Sequence, residues 1–437
     1  MVLRNLRRRR LASLLTGFSV SLGVALFATV GAMREASEVG FQRSASLCDM
    51  LVGAKGSPLQ LTLNSLYHMG QSPGNVPFDS YREITQTPGV LWSVPLAVGD
   101  SFRGHRIVGI TSNFFEDVKL LSRGVEEDLS FSEGVGFTFS AEDFVALKAE
   151  LKEEESHGHH GHGHHGHGED HPELFRAVLG ADVARRTGLK VGDHFEPTHG
   201  VEGATDSHEE GESEIVGVLT RTGTPVDRAI FLPIGAYYVL EGHEPAEGIV
   251  EGGARDPRGL SGIMMRTKAG FYRTGIYRGI NNRLDAMAIY PSVEVRSLFQ
   301  LVARGDLVLR WITALIVVVA LVGVMVAIYN TMGARRREFA ILRALGARRR
   351  TILSLVTAES ALLALLGGLT GLGLAGLLIY AVSGQVEQAT GVSLVTQIGW
   401  SELQLLLAVT LAGAIAGLVP ALSAYRTEAA RTLSSHA

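Results

Sequence analysis

The chain has 437 residues, 46% of them hydrophobic and only 19% charged, with a mean hydropathy of +0.19. The net charge of −4 hides a segregation: residues 1–33 hold five arginines and no acid, residues 34–306 hold 39 Asp/Glu against 25 Lys/Arg, and residues 307–437 hold ten arginines against five glutamates. These values exclude a chain soluble throughout, and bases that flank apolar runs instead of forming a groove exclude a nucleic-acid binder. Cys48 is the single cysteine, so neither an intrachain disulfide nor a cysteine-built zinc site is available.

Crossing about 30 Å of hydrocarbon takes roughly 20 apolar residues, and four segments qualify. The first runs from about Leu11 to Met33 behind Arg7–Arg10. It exceeds the ~7–15 apolar residues of a secretory signal, so it reads as an uncleaved anchor. Residues 34–306 follow as one large insertion. Short β-type runs recur there at Leu91–Val98, Arg106–Ile110, Glu214–Thr220, Ala229–Leu232 and Gly262–Arg266. Helical patterns lie between them at Ala141–Glu155, Leu174–Thr187 and Lys268–Asp285. The insertion is therefore expected to be a mixed α+β domain.

Within it, residues 157–171 read HGHHGHGHHGHGEDH and hold eight of the chain's 15 histidines: His157, His159, His160, His162, His164, His165, His167 and His171. Alternating glycine prevents a packed core, so the tract is expected to be a disordered loop. Neutral imidazoles suit zinc and similar divalent cations, and the tract is expected to bind them as a flexible buffer with no fixed structural site. A second group, His194, His199 and His208 among Glu196, Glu202, Asp206, Glu209 and Glu210, reads mainly as an acidic loop.

The second span covers about Leu307–Met332, with Arg310 near its outer end. The third covers Ile352–Val382 and the fourth Leu403–Ala424, giving a three-span region within 307–437. Gly367 with Gly371, and Gly413 with Gly417, have the spacing that lets helices approach closely. Glu359 alone is an acid lying well within a span, so the spans read as mechanical elements and not as an ion pathway. The connection Arg335–Arg350 carries seven arginines and Ser383–Glu402 carries no Lys or Arg, which places both termini and residues 335–350 in the cytoplasm and 34–306 outside.

The chain contains no G-x-x-x-x-G-K-[ST] phosphate loop and no arguable catalytic Ser/His/Asp or Cys/His set. After the second span, Phe339, Leu342 and Leu345 recur on one helical face, Arg336, Arg343 and Arg350 on another, and Gly346 suits a helix C-cap. A short cytoplasmic helix of this kind suits docking into a partner's cleft.

Arg335, Glu338, Ile341, Leu342, Arg343, Ala344, Gly346 and Ala347, followed by Glu359, match the pattern R-x-x-E-h-x-h-h-R-A-h-G-A, with h apolar. In this the chain resembles permease subunits of the FtsX, macrolide-exporter (MacB-like) and lipoprotein-releasing (LolC/LolE-like) ABC transporters. Gly180–Ala184 and Gly188–Asp193 look like that family's recurring external motif. The stretches Gly53–Gln60 and Arg221–Arg228 are similar to a metal-associated subgroup with a His-rich external insertion.

The resemblance implies four transmembrane helices with an α+β extracytoplasmic domain between the first two, in the inner membrane of a bacterial cell. It also implies a separate cytoplasmic ABC ATPase docking on Arg335, Glu338, Ile341, Leu342, Arg343, Ala344 and Gly346. A second permease chain, identical or paralogous, is expected beside a periplasmic substrate-binding, adaptor or effector protein and membrane lipid. This chain would need no cofactor of its own and would not be an enzyme. Its function would be mechanotransmission, with motion driven by ATP reshaping the external domain. Two other readings are a non-transporting regulator that activates an external enzyme such as a cell-wall hydrolase, and a metal-sensing receptor without an ATPase, which the 335–350 motif disfavours.

Overall fold

In the computed structural model the described residues are 10–122, 125–156, 171–199, 212–239, 259–300, scattered positions from 308 to 341, 346–390 and 399–426. They fall into two compact units, one holding the apolar helices and the other centred on residues 38–300.

Helix α1, Arg10–Ala45, contains the first expected span and continues a further three turns beyond it. In the helical unit the third and fourth spans are α9, Arg349–Thr390, and α10, Trp400–Arg426. These three are long and apolar enough to cross a membrane. The expectation of four such helices is corrected to three among the described residues. The second expected span contributes only a shorter apolar helix, Ala314–Gly323, and the rest of Leu307–Met332 is described only in fragments. The protein is thus a multi-pass helical membrane protein carrying a large mixed α+β domain.

That domain begins with β1, Met50–Gly53, and α2, Pro58–Tyr67. Ser57 caps α2 by accepting from the Gln60 amide, and Pro58 occupies a first-turn position that needs no amide hydrogen. Next come α3, Phe78–Thr85, β2, Val90–Phe102, and β3, His105–Ile110. Arg103 and Gly104, with φ of 48° and 79°, form the tight left-handed turn that suits a two-residue hairpin. Then follow α4, Asn113–Asp117, the separate hairpin of β4, Lys119–Ser122, with β5, Val125–Asp128, and β6, Phe131–Gly134. Helix α5 spans Ala141–Ser156.

The expected helix Leu174–Thr187 is corrected. It is a 3-10 turn, Pro172–Phe175, then β7, Arg176–Leu179, then the short α6, Ala181–Thr187. The apolar run Ala177–Leu179 is buried in the sheet, and Gly180 breaks the chain before the helix starts. The remaining elements are β8, His194–Phe195, β9, Thr198–His199, β10, Ser213–Leu219, β11, Ile230–Pro233, α7, Ala236–Val239, β12, Gly262–Thr267, α8, Phe271–Asn281, and β13, Met287–Ile289. All five expected strands lie where the β-type runs fell.

Among the described residues one sheet runs in the order β13-β1-β12-β2-β3-β11-β7-β10-β6, with β8 on β10 and β9 on β2. The long β2 divides its main pairing between two strands. Its first half pairs with β12, Val90 opposite Thr267 through Leu96 opposite Gly262. Its second half pairs with β3, Ala97 opposite Gly109 through Phe102 opposite His105. Beyond that junction the central strands β3, β11 and β7 are buried on both faces. Val108, Val178 and Phe231 enter one core while their neighbours Ile107, Leu179 and Ile230 enter another, as the two-residue period of a strand requires.

Candidate functional site

Within the helical unit, α9 is the hub. Gly367 and Gly371 face α1: a Cβ on Gly367 would lie 2.9 Å from Val20 Cβ, and one on Gly371 2.7 Å from the Ser21 carbonyl oxygen. The opposite approach comes from α10. A Cβ on Gly413 would lie 2.3 Å from Ala364 Cβ, and one on Gly417 would overlap the Ser360 hydroxyl. Ser360 is wholly buried there, and its hydroxyl donates back to the Thr357 carbonyl at 2.9 Å, so it brings no unmet polar group into the apolar bundle. Val20, Val24, Val356, Ala364 and Val409 close the core around these contacts. Trp311, Tyr380 and Trp400 are 71%, 85% and 73% exposed, as aromatic side chains at a membrane boundary are expected to be. Glu359 is half-buried.

Of the residues expected to dock an ATPase, Arg335, Glu338, Leu342, Arg343 and Ala344 lie outside the described residues. Ile341 is helical and 54% exposed, and Gly346 has φ of +93°.

In the external domain the motif stretches singled out in the sequence come together. Gly180 must be glycine, because a Cβ would lie 2.4 Å from the Val226 carbonyl oxygen and 2.5 Å from that of Asp227. The Gly180 amide donates to the Ala229 carbonyl at 3.0 Å. Asp227 organises the adjoining turn, accepting from the Thr222 amide (2.8 Å), the Thr222 hydroxyl (2.8 Å) and the Gly223 amide (2.7 Å). Burial raises its pKa against the opposing pull of these donors. Gly53 meets Leu61 of α2, whose Cδ1 would lie 2.3 Å from a Cβ there. Thus Gly53–Gln60 and Arg221–Arg228 contain packing and capping residues, whatever else they do.

Between those stretches sits His68, in the left-handed conformation (φ 55°) that ends α2. Its Nδ1 is sealed from solvent without a hydrogen-bond partner among the described residues. Burial, reinforced by the nearby Arg106 and Arg228 guanidinium groups, drives its pKa down to about 3. His105 is also held neutral, chiefly by burial, with Nδ1 at 3.3 Å from the Arg228 carbonyl oxygen. Arg106 donates to the Gly70 carbonyl at 2.6 Å. Sequence reasoning missed this group; its one signal was a His-Arg pair opening an otherwise apolar strand.

Of the histidine tract, His157, His159, His160, His162, His164, His165 and His167 lie outside the described residues. His171, at its end, has Nδ1 3.2 Å from Glu173 Oε1. Among the described residues no group of three or more His, Cys, Asp or Glu is arranged to hold a metal ion. Helix α5 is fixed to the core before the tract starts. Phe144 and Leu147 are buried, and Lys148 lies over the Tyr238 ring at 4.2 Å. Leu147 and Leu174, on either side of the tract, both pack over Gly235.

These features describe a membrane-embedded, glycine-packed bundle joined to an external α+β domain. Residues 311–429 match the family described as "FtsX-like permease C-terminal". The pyoverdine export ATP-binding/permease protein PvdT of Pseudomonas putida is 29% identical over 232 residues, which is 51% of this chain. The alignment covers 33% of that protein, so the chain spans about a third of the length of its curated relative. Two solved structures are also similar. One is the extracellular domain of the noncanonic ABC-type transporter YknZ from Gram-positive bacteria (13% identity, 55% of this chain and 98% of that one, TM-score 0.30). The other is the periplasmic region of MacB from Actinobacillus actinomycetemcomitans (12% identity, 57% and 91%, TM-score 0.31).

Proposed function

We propose that the chain is the permease subunit of a mechanotransmission-type ABC transporter, with ATP hydrolysis residing in a separate subunit. The match of residues 311–429 to the FtsX-like permease domain carries this reading, because the matched segment contains the arginine-rich connection 335–350. The arginine distribution favours both termini and that connection in the cytoplasm. The ATPase docks on Arg335, Glu338, Ile341, Leu342, Arg343, Ala344 and Gly346, and its closure displaces the second span of each of two permease chains. Substrate is handled at the external domain, alone or with an adaptor or effector protein. Reversing both charges, Glu338→Arg with Arg343→Glu, is expected to abolish stimulated ATP hydrolysis in the co-purified complex. Full activity in that variant rejects the coupling role.

The histidine tract supports a narrower reading, in which the transporter serves zinc or a similar divalent cation. His171 Nδ1 engaged by Glu173 leaves Nε2 for a metal, the way a carboxylate commonly orients a metal-binding imidazole. Deleting Ser156–Gly168 should preserve folding and ATPase docking and change only the zinc dependence of ATP hydrolysis. Superimposable zinc titrations for wild type and deletion remove the metal reading. Affinity for zinc should fall below about pH 6.5, where free imidazoles protonate.

A further inference from the structure

We infer that the external domain binds one structural water molecule in a small cavity between α2 and the sheet, where it bridges the Ser65 hydroxyl and His68 Nδ1. This site belongs to the fold of the external domain and stands whether or not the chain couples to an ATPase.

The cavity is built by the end of α2 and the strands beneath it. Ser65, in the last turn of the helix, and His68, which ends it, supply its polar wall. The remaining wall is apolar and includes Leu96 of β2, Val108 of β3, Phe231 of β11 and Met264 of β12. Room for the centre of a water-sized sphere amounts to about 10 Å³. A single water needs roughly that much, ~10–15 Å³. Hydrated cations and organic ligands are too large for it.

Two atoms in the wall lack what a water would give them. Ser65 is 2% exposed, and its hydroxyl has no hydrogen-bond partner among the described residues. A serine inside a helix can donate to the carbonyl four residues back. Thr62, one turn earlier on α2, does so to Pro58 at 2.9 Å. Ser65 does not. Its oxygen lies against β12 instead, 3.0 Å from where a Cβ on Gly262 would stand. His68 Nδ1 is equally hidden and without a partner among the described residues, so no direct bond joins the two side chains. The imidazole stands edge-on to the Phe231 ring, with ring centres 6.5 Å apart. Burial and the neighbouring guanidinium groups keep it neutral. A neutral imidazole offers either a lone pair or an N–H at Nδ1, and water can meet both. Wholly apolar cavities stay dry, whereas one with two unmet polar atoms in its wall holds a water that satisfies both at once.

Hydrogen exchange of the full-length chain in detergent, read by mass spectrometry on α2 peptides near neutral pH, separates a wet site from a dry one. The two predict opposite signs. With the water in place, Ser65→Ala or His68→Phe alone strands the remaining polar group, and exchange in α2 should speed at least about five-fold. The double variant strands nothing and should exchange within about two-fold of wild type. A dry site already carries two unmet groups, so each single substitution would slow exchange and the pair would slow it further. Unchanged or slower exchange in the single variants, or losses that add in the double variant, overturns the proposal. Density supplies a second reading that needs no variant. A map of the wild-type chain sharp enough to show buried waters should hold one solvent peak about 2.7–3.2 Å from both Ser65 Oγ and His68 Nδ1. An empty cavity, or a peak that reaches only one of them, overturns it as well.

Discussion

Gly413→Leu is expected to destabilise the purified chain by about 3 kcal/mol, near the upper end of overpacking penalties, and to lower its melting temperature in detergent sharply. The cause is local. The first added carbon already falls 2.3 Å from Ala364 Cβ, and Ala364 is wholly buried on α9, so neither helix has room to yield. The control is Gly376→Leu on α9, where a Cβ would meet nothing within 4 Å among the described residues. That variant should melt as wild type or slightly higher, since leucine favours a helix more than glycine does. Equal melting temperatures for the two variants would refute the interlocked packing.

Acidification should expose a second weakness, in the external domain. The folded-state pKa of His68 is depressed from 6.5 to about 3. Its contribution is therefore intact above pH 6.5 and is lost as pH falls from 6.5 toward 3. One bound proton is worth about 1.4 kcal/mol per pH unit. The residue as a whole is only half-buried, which trims the loss to roughly 2 kcal/mol at pH 4.5. His68→Asn keeps a side chain that tolerates the left-handed backbone and removes the titrating group. Melting temperature against pH should be flatter for this variant than for wild type between pH 6.5 and 4.5. Parallel curves would mean that the imidazole is not held neutral in the fold.

The sequence carried much of this in its patterns. Ile230–Pro233 and Gly262–Thr267 were legible as strands because apolar runs bounded by turn residues have few other uses. Leu174–Thr187 misled because its apolar positions satisfy a helical period, while Gly180 divides a strand from a helix only through contact with the distant 226–227 backbone. The glycine spacings in the spans announced close approach without naming the partner. That α9 receives α1 on one side and α10 on the other depends on helix rotation, which a four-residue repeat does not encode. His68 was invisible for a related reason, since its neutrality depends on burial in the folded domain, reinforced by Arg106 and Arg228, 38 and 160 positions away.

The strand β1 pairs with β12 and β13, Met50 opposite Met265 and Leu51 opposite Ile289. The first strand of the domain thus waits for nearly the last of its chain to arrive. Non-local pairing of this kind is slow to nucleate, so the half-sheet should close only after residue 289 has cleared the secretion machinery. Until then β1 and the half of β2 that pairs with β12 present open edges. Closure over so long a loop is nearly indifferent to its length. Adding or removing the fifteen residues 157–171 changes the closure entropy by only ~0.1 kcal/mol. Selection can therefore lengthen or shorten that insertion with almost no penalty to folding.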